Sequence, residues 1–131
     1  MLLSGLEVTG GLRLLESTAA WNGLLVLNYH RIGNAGESLF DRALWSATQE
    51  DFDRQVQLLK RSCEVIGLDE LPEVVRELEC DRPSLSGHRF AMVTFDDGYL
   101  DNFELAFPVL KSHDVPGVFF ITTGFIDESP L

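Results

Sequence analysis

The sequence predicts an α/β fold in which parallel strands alternate with helices. Short runs that are apolar throughout, Leu24–Leu27, Phe90–Phe95 and Gly117–Ile121, fit strands of a sheet covered on both faces. Segments with apolar residues at helical spacing separate these runs, which implies parallel pairing through right-handed crossovers. His30, Asp96-Asp97 and Thr122-Thr123 then all fall at the carboxyl ends of strands. In an open parallel sheet or a parallel barrel those ends share one face, where α/β active sites are built.

Taken in order, Met1 to Ala20 lacks a basic n-region, and its apolar residues are interrupted by Ser4, Gly5, Glu7, Gly10, Gly11 and Arg13, unlike a secretory signal. Leu12, Leu14, Leu15 and Ala19 can share one side of a short helix, so residues 1–23 read as a lead-in segment to a domain over 24–131. Leu24–Leu27, followed by Asn28-Tyr29-His30, is the first strand. Gly33 to Ser46, with its glycines and mixed charge, reads as a long loop, and loops of that length are often functional. Thr48-Gln49-Glu50-Asp51 resembles a capping box, and Phe52, Val56 and Leu59 line one face of a helix running to about Arg61.

Cys63–Ile66 is a brief strand. A second helix opens at Asp69-Glu70-Leu71-Pro72, with Pro72 tolerated in its first turn and Leu71, Val74, Val75 and Leu78 at helical intervals. Asp81 to His88 is a linker. After the Phe90–Phe95 strand, Phe103, Ala106, Phe107 and Leu110 mark a third helix that Pro108 must kink or shorten, since proline removes a backbone donor. Gly117–Ile121 then forms the last strand.

A chain of 131 residues with 45% hydrophobic content is enough for one globular core. Its 21 acidic and 10 basic residues give a net charge of −11, which argues against a nucleic-acid surface because phosphate binding needs clustered Lys and Arg. Cys63 and Cys80 lack the C-x-x-C spacing of a zinc or redox site and read as reduced thiols. The sequence holds no apolar stretch long enough to span a bilayer, and with no signal peptide visible, cytoplasmic residence is the expectation, with a membrane-surface or exported location as the alternative.

Phe95-Asp96-Asp97-Gly98 is the most informative stretch. A buried strand that delivers two adjacent carboxylates into a glycine turn concentrates negative charge where water, a cation and a substrate can meet. Asp-Gly is also an ordinary turn signal, but a turn or cap needs only one aspartate and no buried strand before it.

Val93-Thr-Phe-Asp-Asp-Gly-Tyr99 resembles the first motif of the polysaccharide deacetylase family, the NodB-homology carbohydrate esterases. Asn28-Tyr-His-Arg-Ile32, Phe52-Asp-Arg-Gln55, Ala106-Phe-Pro-Val-Leu-Lys111 and Gly117-Val-Phe-Phe-Ile121 match the same family's habit, so the likeness extends over about residues 24 to 127. The resemblance implies the first part of a distorted (β/α) barrel. It also implies hydrolytic removal of N-acetyl or O-acetyl groups from a glycan with a bound divalent metal, usually zinc. Carried over by position, Asp96 is the catalytic base and Asp97 a metal ligand, while His30 stands near the site as a substrate contact or a support.

The family completes its metal site with a downstream histidine pair. This sequence has only His30, His88 and His113, none of them three or four apart. A catalytic zinc normally takes three protein ligands, so the residues present are expected to bind metal weakly or not at all. The sequence reads as the amino-terminal portion of such a domain, truncated and inactive by itself, with a sheet edge open to self-association. The alternative is a non-catalytic carbohydrate-binding or interaction half-domain. A phosphotransferase of the haloacid dehalogenase type is disfavoured, because it needs one residue between its two aspartates. The particular glycan is not fixed, although the negative charge gives a weak preference for cationic, partly deacetylated glucosamine polymers.

Overall fold

The computed structural model describes residues 22–37, 42–80 and 88–126. The lead-in segment over residues 1–23 falls, but for its last two residues, outside that range, as does most of the Asp81–His88 linker. The elements in chain order are β1 (Gly23–Tyr29), β2 (Arg31–Ile32), β3 (Trp45–Ala47), α1 (Gln49–Ser62), β4 (Glu64–Val65), α2 (Leu71–Glu79), β5 (Arg89–Phe95), α3 (Phe107–His113) and β6 (Val118–Phe119). The fold is α/β, as predicted, and every strand pairing is parallel.

β5 is the centre of the main sheet. β1 pairs along its whole length, from Gly23 opposite Arg89 to Tyr29 opposite Phe95. On its other side β4 pairs with the amino-terminal half, at Phe90 and Ala91, and β6 with the carboxyl end, at Thr94 and Phe95. Central placement explains the unbroken apolar run: from Phe90 to Phe95 every residue is buried, including Thr94.

The two sheet faces are covered unequally. Tyr29, Phe95 and Val93 meet Phe52, Val56 and Leu59 of α1 and Val109 and Leu110 of α3 in one core. Phe95 stacks on Phe119 at 4.8 Å and on Tyr29 at 5.5 Å, and Phe52 meets both Tyr29 and Phe95 edge-on. The other face carries a smaller cluster of Ile66, Val74, Phe90 and Met92 beneath α2. On that face of β1, Val26 is 52% exposed, so coverage of both faces holds for β5 but not for β1.

The Thr48 cap is present. Its Oγ1 accepts the Asp51 amide and donates to the Asp51 carboxylate, and Arg54 pairs with that carboxylate. The expected long loop, in contrast, contains a strand. β3 pairs with β2, and Gly33 between them has φ +142, with Trp45 so close that a Cβ would lie 2.7 Å from its ring. Trp45-Ser46-Ala47 alternates in burial, but three residues are too few for a period to be read from sequence. The last strand is also shorter than expected, ending at Phe119, with Thr123 opening a short 3-10 turn.

The third helix opens with a π turn over Asn102–Ala106, in which the Phe107 amide bonds to the Asn102 carbonyl. Pro108 has no amide to offer Glu104, and regular α geometry resumes only beyond the widened turn. The widening rotates the apolar face: Ala106, Val109 and Leu110 are buried, but Phe103 is 69% and Phe107 43% exposed. No helix of the described residues is long and apolar enough to cross a membrane.

Candidate active site

Parallel register brings the predicted residues to one rim. Asp96 continues the β1–β5 ladder, its amide donating to the Tyr29 carbonyl at 2.9 Å, so His30 and Asp96 leave their strands side by side. The His30 Nε2 lies 3.8 Å from Asp96 Oδ2, and both side chains are about one-third exposed, at 35% and 36%.

Asp96 is held from beneath. Asn28, Thr94 and Asp96 fall on the same sheet face, because Asn28 is opposite Thr94 and strand side chains alternate. The Thr94 hydroxyl lies 3.0 Å from Asn28 Oδ1 and 3.2 Å from the Leu27 carbonyl, and Asn28 Nδ2 donates to Asp96 Oδ2 at 2.8 Å. With the hydroxyl donating to its oxygen, Asn28 must turn its amide hydrogens to Asp96. Asn28 belongs to the Asn28–Ile32 stretch noted in the sequence, but its support of Asp96 follows only from its register with the motif strand.

Asp97 differs sharply from its neighbour. It is exposed, at φ 68, and Gly98 follows at φ 69. A left-handed conformation at a non-glycine residue costs roughly 1 kcal/mol. Gly98 is required in that conformation, although its Cβ position is open enough to meet Ile121 only at ordinary contact distance.

Just past the turn lies a polar group that sequence reasoning passed over. Asp101 and Asn102 are buried, at 8% and 2% exposure. Asp101 lies in the first turn of the helix, with helical backbone angles of φ −64 and ψ −21. Its Oδ1 accepts the Ile32 amide at 2.9 Å, its Oδ2 accepts Arg31 Nε at 2.9 Å, and Asn102 Nδ2 donates to the His30 carbonyl at 2.8 Å. Arg31 lies over the Trp45 ring at 4.1 Å and the Tyr99 ring at 4.9 Å. Asn102 Oδ1 is buried with no partner, a cost of about 1–3 kcal/mol. Such a pair after a glycine turn reads in sequence as a helix cap, and nothing local reveals that it reaches back some seventy positions.

The other histidines are elsewhere. His113 Nε2 is 2.7 Å from Asp53 Oδ1, joining α3 to α1, and Lys60 bonds its carbonyl. His88 lies against Phe90 before the start of β5, with the strand's length, roughly 20 Å, between it and Asp96. Among the described residues no group of three or more His, Cys, Asp or Glu is disposed to hold a metal ion.

With a parallel α/β sheet and two adjacent aspartates at the carboxyl end of its central strand, the chain is similar to known proteins. A sequence model described as polysaccharide deacetylase matches residues 86–131. The chain is 28% identical over 117 residues to poly-beta-1,6-N-acetyl-D-glucosamine N-deacetylase of Staphylococcus aureus, a match covering 82% of this chain. It spans 38% of the length of that relative. Among solved structures it is similar to IcaB from Ammonifex degensii, with a TM-score of 0.55 and 30% identity over 77% of this chain and 39% of that one. The Streptococcus pyogenes deacetylase PplD has the same fold, with a TM-score of 0.59 and 19% identity over 82% of this chain and 45% of that one. These findings bear out the resemblance to the polysaccharide deacetylase family carried by Val93–Tyr99.

Proposed function

We propose that this chain supplies the amino-terminal part of a polysaccharide deacetylase site, acting on the acetyl groups of an N-acetylated or O-acetylated glycan. One observation carries the reading: Asp96 stands at the strand tip, partly exposed, with Oδ2 bound by Asn28 and 3.8 Å from the His30 Nε2. A carboxylate so held can take a proton from a water as it attacks the acetyl carbonyl. His30, on the same rim, is read as a contact for the glycan or a support for Asp96, and its nearness to Asp96 supports that reading. Relatives acting on an acetylated glucosamine polymer, and a 30% identical structural neighbour, support the reading.

Asp97 is assigned as one ligand of a divalent ion, zinc by the family resemblance. Its exposed carboxylate suits that role, but the described residues alone do not fit a catalytic zinc site, which needs three protein ligands. No chemical step is therefore derived through the ion. In this reading the rest of the site belongs to a longer domain of the length its relatives have, in which the strands continue into a barrel and cover the open sheet edge.

The test is release of acetate from a partly N-acetylated β-1,6-glucosamine oligosaccharide by the protein the gene encodes, with free amine counted in parallel. Equal release of acetate and amine supports deacetylation. Oligosaccharide binding without acetate release, at any added divalent metal, would replace it with the non-catalytic binding reading.

A further inference from the structure

We propose that Asp101 and Asn102 are positioning residues that set His30 against Asp96. Three consecutive residues, His30, Arg31 and Ile32, are each held by this pair: the His30 carbonyl by the Asn102 amide at 2.8 Å, the Arg31 guanidinium by Asp101 Oδ2 at 2.9 Å, and the Ile32 amide by Asp101 Oδ1 at 2.9 Å. Asn102 Nδ2 also lies 3.3 Å from Asp101 Oδ1, which ties the two side chains together. The inference rests on the reading of Asp96 and His30 as partners in the proposed site.

The geometry points to a clamp rather than to general packing. Both side chains leave the chain four or five residues after Asp97, across a turn with two successive left-handed residues, and the clamp closes on the residues that follow β1. Asn102 leaves its own carbonyl oxygen buried without a partner. An arrangement selected only for helix stability would not do so. Arg31 is fixed besides between the Trp45 and Tyr99 rings, so it cannot swing while Asp101 holds its Nε. His30 adds one further tie, its amide donating to Ser46 Oγ at 3.0 Å. The consequence is that the backbone carrying the imidazole is held beside Asp96 by residues that do not touch the imidazole. A displacement of about 1 Å at such a site can cost on the order of a hundredfold in rate.

The test compares Asn102→Ala and Asp101→Asn with Val109→Ala, a core change that loses stability without touching the rim. NMR of the folded proteins follows the His30 ring signals and the contacts between His30 and Asp96. The clamp predicts that both rim variants displace the His30 signals and weaken those contacts, while Val109→Ala leaves them in place. Wild-type protein supplies an independent reading should a variant fail to fold: the Ile32 amide is expected to exchange about a hundredfold slower than a free amide. Unmoved His30 signals in both rim variants, or fast exchange at Ile32, would overturn the clamp. Neither readout depends on acetate release, so failure of the deacetylase reading and failure of the clamp are separable. Where activity is found, the clamp further predicts that Asn102→Ala lowers kcat about tenfold or more with KM little changed.

Discussion

The aromatic layer beneath the sheet's carboxyl end and the polar rim above it are built on opposite principles. Beneath, Tyr29, Phe52, Phe95 and Phe119 fill space by contact, and neighbouring elements determine one another through shape. Above, Asp96, His30 and Asp97 are at least partly exposed, and their places depend on a few directed hydrogen bonds and two left-handed residues. The comparison teaches that the core decides where the strands end, whereas Asn28, Asp101 and Asn102 decide how the chemical groups face once they get there.

The largest effect should come from the aromatic layer. Phe52→Ala or Phe95→Ala removes a fully buried ring and should cost about 3–5 kcal/mol of unfolding free energy, measured by denaturant titration. A loss below about 1 kcal/mol would contradict the tight packing claimed there. In the rim, Asp101→Ala strands the Ile32 amide and leaves Arg31 without its partner, for an expected loss of about 2 kcal/mol. Gly98→Ala should cost roughly 1 kcal/mol, through its backbone conformation and not through a clash. An unchanged Tm in Gly98→Ala would mean that the turn can relax.

Much of this was legible beforehand, for reasons that differ by element. β5 announced itself because a central parallel strand reads as a near-continuous apolar run, broken between Phe90 and Phe95 only by Thr94, and α1 because Thr48 and the Phe52, Val56, Leu59 stripe carry local signals. β3 was hidden, since a three-residue strand has no period to detect. The exposure of Phe103 and Phe107 was hidden too, because a π turn shifts the helical face by an amount that an even spacing cannot express. In the site, adjacent aspartates before a glycine were visible as a motif. Asn28 and the Asp101–Asn102 pair were not, because their partners lie 68 to 72 positions away and only the fold defines them.

The smallest effect is expected on the surface of α1. Hydrogen bonding from His113 holds the Asp53 carboxyl below its usual range, and Arg54 followed by Thr48 does the same for Asp51. Carboxyls depressed in the folded state add stability above their unfolded pKa of about 4, and that contribution disappears as pH falls through the lower folded values. Asp53→Asn should therefore lower Tm slightly at pH 7 and converge with wild type in stronger acid. A Tm difference that persists unchanged below pH of about 2 would show that the side chain acts by packing and not by charge.

The division of labour between the two aspartates is tested most directly by measuring bound metal and acetate release together for Asp96→Asn and Asp97→Asn in the protein the gene encodes. The account predicts that Asp96→Asn keeps its metal and loses about two orders of magnitude or more in turnover, whereas Asp97→Asn loses metal affinity and activity together. Near-normal turnover in Asp96→Asn would contradict it.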